Sequence, residues 1–127
     1  MEIAIILMLG LLVGAYLLGA VPTSYLLGRW VLGIDLSQEG SGNLGASNLA
    51  RRSPALGGVA LLLDAAKGWL PAAAGLRLAP GAGLAAGLAF AAVVGHCWSI
   101  YRWRAPQKGG KGVATLCGAL LALVPWL

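Results

Sequence analysis

Charge is scarce in this sequence. Only 10% of its 127 residues are Asp, Glu, Lys or Arg, while 59% are hydrophobic. A soluble domain carries about a quarter charged residues, so the composition excludes an ordinary soluble protein and points to an integral membrane protein. Acidic residues number four and histidine one, with no ligand spacing among them, which argues against a metal site. The two cysteines, Cys97 and Cys117, lie in or beside apolar runs and read as small buried hydrophobes. Aromatics are few and glycines number 20, a balance that suits close helix packing in lipid. The N-terminus lacks the basic start of a signal peptide, since Glu2 is its only early charge, and its apolar run continues past a usual h-region. It reads as a retained membrane helix. No internal repeat, low-complexity tail or soluble domain is visible. The formal net charge of +5 could suggest nucleic acid, but the charges fall in short loops between apolar runs, where they set topology. No nucleic-acid partner is expected.

Four apolar runs are present. Residues 3–20 are uncharged, close to the roughly 20 residues that cross a hydrocarbon core. Pro22 interrupts this run, which resumes from Tyr25 to Ile34 with Arg29 inside. One kinked helix, or a span followed by a short helix, would both fit. Gly10, Gly14 and Gly19 are candidates for close helix approach. A polar loop over about 35–53 follows, and Pro54 then suits the first turn of a second helix reaching about Leu78. Asp64 and Lys67 lie inside that helix, and Pro71 is a candidate bend. A third run spans Leu84 to Ile100. A basic loop over about 101–112 leads to a fourth run from Val113, short for a span.

The expected fold class is all-α: a polytopic integral membrane helical bundle with three full spans and a partial fourth, forming a single membrane domain over 1–127. Two spans separate the 35–53 and 101–112 loops, which therefore lie on one side. Together these loops hold Arg51, Arg52, Arg102, Arg104, Lys108 and Lys111, against Arg77 alone in the connection between spans two and three. The excess places both loops in the cytoplasm and the N-terminus outside. Trp98, Tyr101 and Trp103 resemble an interfacial aromatic belt.

Chemistry concentrates in the two loops. The stretch Gly40-Ser-Gly-Asn-Leu-Gly45 matches G-x-G-x-x-G, with Asp64 about twenty residues on, but a dinucleotide fold needs a preceding strand and a βαβ unit. Apolar runs of helical length flank it here, and no Lys-Ser/Thr follows Gly45 to make a P-loop. Glycines let a ligand approach backbone N–H groups, which can form an anion cradle. Ser41, Asn43, Ser47, Asn48 and Arg51 add hydroxyls, amides and a guanidinium, a mixture suited to a phosphate and a polyol; a solvated connector is the plainer alternative. The second segment, Lys108-Gly109-Gly110-Lys111-Gly112-Val-Ala-Thr115, leads straight into a helix, whose N-terminus is a ready anion site. Its alternative is a basic anchor for anionic headgroups. Asp64 and Lys67 are spaced to pair on one helix face. Charges inside a span cost about 2.5–3.5 kcal/mol each on insertion scales and are functional candidates, or else a structural ion pair. His96 could act as a general base or a phosphate donor, or simply sit satisfied at the interface. Nothing forms a nucleophilic triad, so an enzyme built this way would position two substrates rather than form a covalent intermediate.

Five stretches, in order, carry a family likeness: Tyr16 to Tyr25, Gly40 to Asn48 with Arg51, Asp64-Ala-Ala-Lys-Gly68, Gly95-His96, and Lys108 to Thr115. Together they resemble the bacterial acyl-phosphate:glycerol-3-phosphate acyltransferases, over nearly the whole chain. The resemblance implies transfer of a fatty acyl group from acyl phosphate to the sn-1 hydroxyl of glycerol 3-phosphate, giving lysophosphatidic acid and phosphate for phospholipid biosynthesis. It implies a multi-pass enzyme of the bacterial inner membrane that uses no metal or other cofactor, with membrane lipids as surroundings. Carried over by motif, Ser41, Arg51, Lys111 and His96 are the expected catalytic residues. Gly42, Asn43, Ser47, Asn48, Lys67, Lys108, Gly109, Gly110 and Thr115 are the expected substrate-binding residues.

The sequence departs from the family pattern at Ser47, usually Thr, and at Ser99, usually Pro. The segment from His96 to Lys108 is a few residues longer than usual, with Gln107 where an aromatic is common. Family members continue beyond the fourth helix with more spans and a motif containing His, Asn and Arg. The resemblance therefore implies that this is an N-terminal portion, inactive without the rest. The alternative reading is a non-enzymatic membrane protein, a small transporter subunit or assembly factor that uses its basic loops for contact. Nothing in the sequence specifies an oligomeric state.

Overall fold

The computed structural model of the chain describes residues 1–102 and 109–126. Among the described residues six α-helices form, here called α1 (Glu2–Ala20), α2 (Thr23–Leu27), α3 (Ala46–Arg52), α4 (Pro54–Leu78), α5 (Gly83–Cys97) and α6 (Val113–Leu123). Three segments, Glu2–Ala20, Pro54–Leu78 and Gly83–Arg102, are long and apolar enough to cross a membrane, and Val113–Leu123 is a shorter apolar helix. The all-helical membrane bundle expected from the sequence is therefore the observed architecture.

Local chemistry explains the boundaries. α1 stops where Pro22 withholds an N–H and pushes Val21 into an extended conformation, φ −56 and ψ 120. Of the two sequence alternatives, a span followed by a short helix is the one realised. α2 runs into a π-type turn over Gly28–Leu32, closed by Gly33 at φ +66. At the start of α4, the Ser53 hydroxyl accepts from the Leu56 N–H at 3.3 Å, and Pro54 fills the first turn. α4 continues through the buried Pro71 as one element, although that residue leaves the Lys67 carbonyl without its intrahelical donor. α5 ends at Cys97, three residues before the end expected from hydropathy. There the Ser99 hydroxyl donates to the Ala20 carbonyl at 2.5 Å and the Tyr16 hydroxyl to the Trp98 carbonyl at 2.8 Å. The ends of α1 and α5 are thereby tied together.

α4 is the central element, packed on α3, α5 and α6, while α1 lies along α5. The buried core is largely alanine, including Ala60, Ala72, Ala85, Ala92 and Ala119, whereas Leu62, Phe90 and Leu121 are each about 70% exposed. This inverts a soluble protein: bulky apolar groups face outward where lipid costs them nothing, and small residues let backbones approach. Of the three glycines marked for close approach, Gly19 lies against the Ala92 backbone; Gly10 and Gly14 face open space. Cys97 is half-buried and Cys117 exposed, so the buried-hydrophobe reading fails for Cys117, which lies on the outer face of α6.

The closest packing joins α4 to α6. A Cβ on Gly118 would overlap the Ala65 carbonyl, and one on Gly68 the Thr115 carbonyl. Gly118→Ala is thus expected to destabilise the bundle by about 1–3 kcal/mol through overpacking, read as a lower thermal midpoint in detergent. Gly58→Ala, where nothing lies within 4 Å, should be neutral or stabilising through helix propensity. Equal midpoints for the two variants would refute this account of the α4–α6 contact.

Candidate functional site

The first polar loop is held by one side chain. The Asn48 amide donates to the carbonyls of Leu36 (3.3 Å), Glu39 (2.9 Å) and Asn43 (2.9 Å), closing residues 36–48 around itself. Gly40 (φ +50) and Gly42 (φ +70) supply the left-handed turns that this path requires. The Asn43 side chain accepts from the Gly45 N–H at 3.1 Å, a local Asx turn. Below the loop, Leu36, Leu44, Leu49 and Ala60 form a buried cluster. At the loop's entrance Asp35 accepts from the Ser37 hydroxyl (2.6 Å) and N–H (3.0 Å). The Ser37 hydroxyl bond is the main reason that the Asp35 carboxyl sits below the usual carboxylate range.

The second loop meets the first. Gly109 to Gly112 lead into α6, whose first residue follows a left-handed Gly112 (φ +75) with no side-chain cap. The first N–H groups of α6 are therefore open for an acceptor. A cavity of about 220 Å³ separates the loops; Asn43, Gly45 and Ser47 line one side, Lys111 and the first turn of α6 the other, and Asp64 and His96 its floor. A narrow gap lined by Thr23, Asp64, His96, Arg102 and Gly110 shares Asp64, His96 and Gly110 with this cavity, and Leu44 and Arg102 with a second one. That second cavity, about 400 Å³, is apolar and is lined by Val21, Pro22, Tyr25, Leu26, Leu44 and Tyr101, with Arg102 at its edge. This gap, here called the throat, thus borders a cavity with polar and charged groups in its lining on one side and an apolar cavity on the other.

Beneath the throat lie two buried charges, Asp64 (3% exposed) and Lys67 (5%). The Lys67 ammonium donates to the Val21 carbonyl (2.5 Å), Thr23 Oγ1 (3.0 Å) and Asp64 Oδ1 (2.7 Å), using all three of its protons. The Thr23 hydroxyl donates to the same Asp64 oxygen at 2.5 Å. A cation at the C-terminal end of α1 also complements the helix dipole, and the Val21 carbonyl at the α1–α2 break, which already accepts from the Thr23 N–H at 2.9 Å, gains a second donor. His96 Nδ1 stands 3.7 Å from Asp64 Oδ1.

The structure brings together Asn43, Ser47, Gly110, Lys111 and His96 on one cavity. Ser41 and Arg51 are exposed on the same first loop but are not among that cavity's lining residues. The Arg51 Cδ lies over Gly40. Gly42 is part of the turn, and Gly109 packs under the Arg102 guanidinium. Lys108 and Trp103 lie outside the described residues. Three expected ligand groups are turned inward instead. The amide protons of Asn48 are spent on backbone carbonyls, those of Lys67 on the α1–α2 break, and Thr115 is fully buried with its hydroxyl unpartnered. Small polar side chains look alike in sequence whether they face a ligand or hold a loop. Thr23, Gly45 and Arg102 also border the site, although the sequence alone assigns them no role in it. Arg102 had been counted only as a topology charge, yet its Nη2 donates to the Cys97 carbonyl at 2.7 Å and it lines both the throat and the apolar cavity. Its signal is that it is the first cation of the second loop, only six residues after His96. Among the described residues, no three His, Cys, Asp or Glu side chains cluster to hold a metal.

Known proteins are similar to this chain. A family described as "Glycerol-3-phosphate acyltransferase" matches residues 9–127. The glycerol-3-phosphate acyltransferase of Myxococcus xanthus (strain DK1622) is 49% identical over 114 residues, covering 87% of this chain and 57% of its own. Glycerol-3-phosphate acyltransferase 2 of Moorella thermoacetica (strain ATCC 39073 / JCM 9320) is 45% identical over 115 residues, covering 90% and 57%. Among solved structures, PlsY, an integral membrane glycerol 3-phosphate acyltransferase, superposes in its glycerol 3-phosphate form with a TM-score of 0.78 at 34% identity, covering 93% of this chain and 58% of that one. The chain thus spans a little over half the length of the relatives it matches. Since the family match takes in α2 to α6, both polar loops and the second half of α1, the chain belongs to the glycerol-3-phosphate acyltransferase family.

Proposed function

We propose that the protein carrying this chain transfers a fatty acyl group from acyl phosphate to the sn-1 hydroxyl of glycerol 3-phosphate, in the inner membrane of a bacterium. The observation that most supports this reading is the polar cavity, where the amide and hydroxyl of Asn43 and Ser47 face Lys111 and the uncapped start of α6. A phosphate asks for N–H donors and cations, and a polyol asks for hydroxyl and amide partners. The apolar cavity beyond the throat suits the acyl chain, with the acyl carbonyl at the throat between them. In the reaction the hydroxyl oxygen attacks the acyl carbonyl, the bond to the phosphate oxygen breaks, and the hydroxyl proton leaves on the released phosphate. No covalent enzyme intermediate is needed, so the chain's part is positioning and stabilisation of phosphate charge.

In this scheme Lys111, Arg51 and Ser41 hold phosphate, with Lys108, Gly109 and Gly110 completing the second loop's contribution. Asn43, Ser47 and Gly42 shape the glycerol pocket, while Asn48, Lys67 and Thr115 act by holding the walls. Both loops face the cytoplasm and the N-terminus lies outside, in keeping with the six basic residues of the two loops. Purified protein in lipid, given palmitoyl phosphate, is expected to release phosphate and form lysophosphatidic acid only when glycerol 3-phosphate is present. Solute uptake into vesicles with no acylated product would refute this assignment in favour of a transporter.

A further inference from the structure

The buried pair below the throat does more than satisfy a broken helix. The Val21 carbonyl already accepts from the Thr23 N–H at 2.9 Å, and at Ala20 a neutral hydroxyl, that of Ser99, is donor enough. At Val21 the chain adds a lysine and an aspartate, both within a span, where each charge is costly. The aspartate is what extends the contact upward. Asp64 Oδ1 gathers Lys67 and Thr23 on one side and faces His96 Nδ1 on the other. Asp64 Oδ2 accepts no hydrogen bond among the described residues. The opposite edge of the His96 ring carries Nε2, which lies against Gly110 so closely that a Cβ there would overlap it. Gly110 in turn backs onto Gly45 of the first loop, whose Cβ position is 3.7 Å from the Gly110 Cα. A continuous column thus runs from the α1–α2 break through Asp64, His96 and Gly110 to Gly45. Its upper end fixes the distance between the two loops that bound the polar cavity.

We propose that Asp64 is a positioning residue: held by Lys67 and Thr23, it sets the His96 ring, and the ring sets the Gly110–Lys111 segment against Gly45. The proposal rests on the acyltransferase reading for the identity of the ligand, a phosphate monoester, but not for the geometry of the column. Asp64 does not touch substrate in this account. Its role is to keep Lys111 and the start of α6 at the spacing a phosphate needs, and a shift of about 1 Å in such a contact can cost up to a hundredfold.

Thr23 offers the cleanest test, since it can be altered without leaving a buried charge unpaired. Thr23→Val removes the hydroxyl that bridges Asp64 and Lys67, and Thr23→Ser restores it. In the membrane protein that carries this chain, Thr23→Val and Asp64→Asn are each expected to raise KM for glycerol 3-phosphate about tenfold. The KM for acyl phosphate should change much less, and Thr23→Ser should match wild type. Coupling supplies the second readout. In a Gly110→Ala background, where the ring is already displaced, Asp64→Asn should add little, because residues in one network are non-additive. Two results would overturn the proposal: an unchanged KM for glycerol 3-phosphate in folded Thr23→Val protein, or fully additive effects of Asp64→Asn and Gly110→Ala. Should Asp64→Asn fail to fold, Thr23→Val against Thr23→Ser still decides the matter. Wild-type protein without acyl transfer would count against the acyltransferase reading instead. The column would then be tested by protection against thermal unfolding with inorganic phosphate, which Thr23→Val should weaken and Thr23→Ser retain; equal protection in all three proteins would refute it.

Discussion

Arg51→Ala is expected to lower kcat/KM for acyl transfer by about a hundredfold to a thousandfold, the usual cost of losing one donor to a developing charge, with no change in the folded protein. The expectation rests on a contrast between neighbours. Arg52 pairs with Glu39 at 3.5 Å on the surface, an interaction worth about 0–1 kcal/mol. Arg51 makes no hydrogen bond or ion pair among the described residues, although its aliphatic stem lies over Gly40 in the turn that carries Ser41. An uncommitted guanidinium beside a glycine turn and a basic second loop has a bidentate fork to offer a phosphate. Arg52→Ala should therefore be nearly silent, and Arg51→Lys should restore only part of the activity, because a point charge lacks the planar fork. Steady-state kinetics with both substrates varied would check this. Wild-type rates for Arg51→Ala would remove Arg51 from the phosphate site.

That contrast also shows what the sequence could and could not disclose. Hydropathy marks the spans because lipid imposes length and apolarity on any helix that crosses it, while Pro22 marks an interruption without deciding between a kink and a break. The meeting of the two loops followed from counting spans. Side-chain direction was not legible. Asn43 and Asn48 are the same residue type five positions apart, yet one borders the cavity and the other is locked into the backbone beneath it. Lys67 and Lys111 divide in the same way, between a helix end and the cavity. Such assignments depend on which carbonyls lie nearby, and those carbonyls come from residues remote in sequence: Val21 is 46 positions from Lys67. Arg102 was misjudged for a related reason. A cation at the end of a span reads as a topology signal, and only the fold lays its guanidinium against Gly109.

Asn48→Asp should be nearly as damaging as Arg51→Ala, for a different reason. The change alters no volume and keeps one oxygen in place, so packing in the cluster of Leu36, Leu44 and Leu49 is preserved. It replaces an amide that donates to three carbonyls with an oxygen that can donate to none when ionised. Asn48 is only 2% exposed, so the variant would place a carboxylate against three carbonyl oxygens in a site that water does not reach. Leaving a buried acceptor unsatisfied costs about 1–3 kcal/mol, and more for a charged group. The spans do not depend on this amide, since α1, α5 and α6 make their contacts elsewhere. The expected outcome is a bundle that still purifies as a folded membrane protein but has a disordered first loop and has lost more than about 99% of its acyl transfer, a fall of the size that a misplaced binding group produces. Hydrogen exchange would report faster exchange confined to residues 36–48, with α4 and α5 protected as in wild type. If Asn48 instead contacted the ligand directly, Asn48→Asp would leave exchange in the loop unchanged and alter only substrate KM. The two roles are therefore separable in one experiment, and the network of three carbonyls predicts the first.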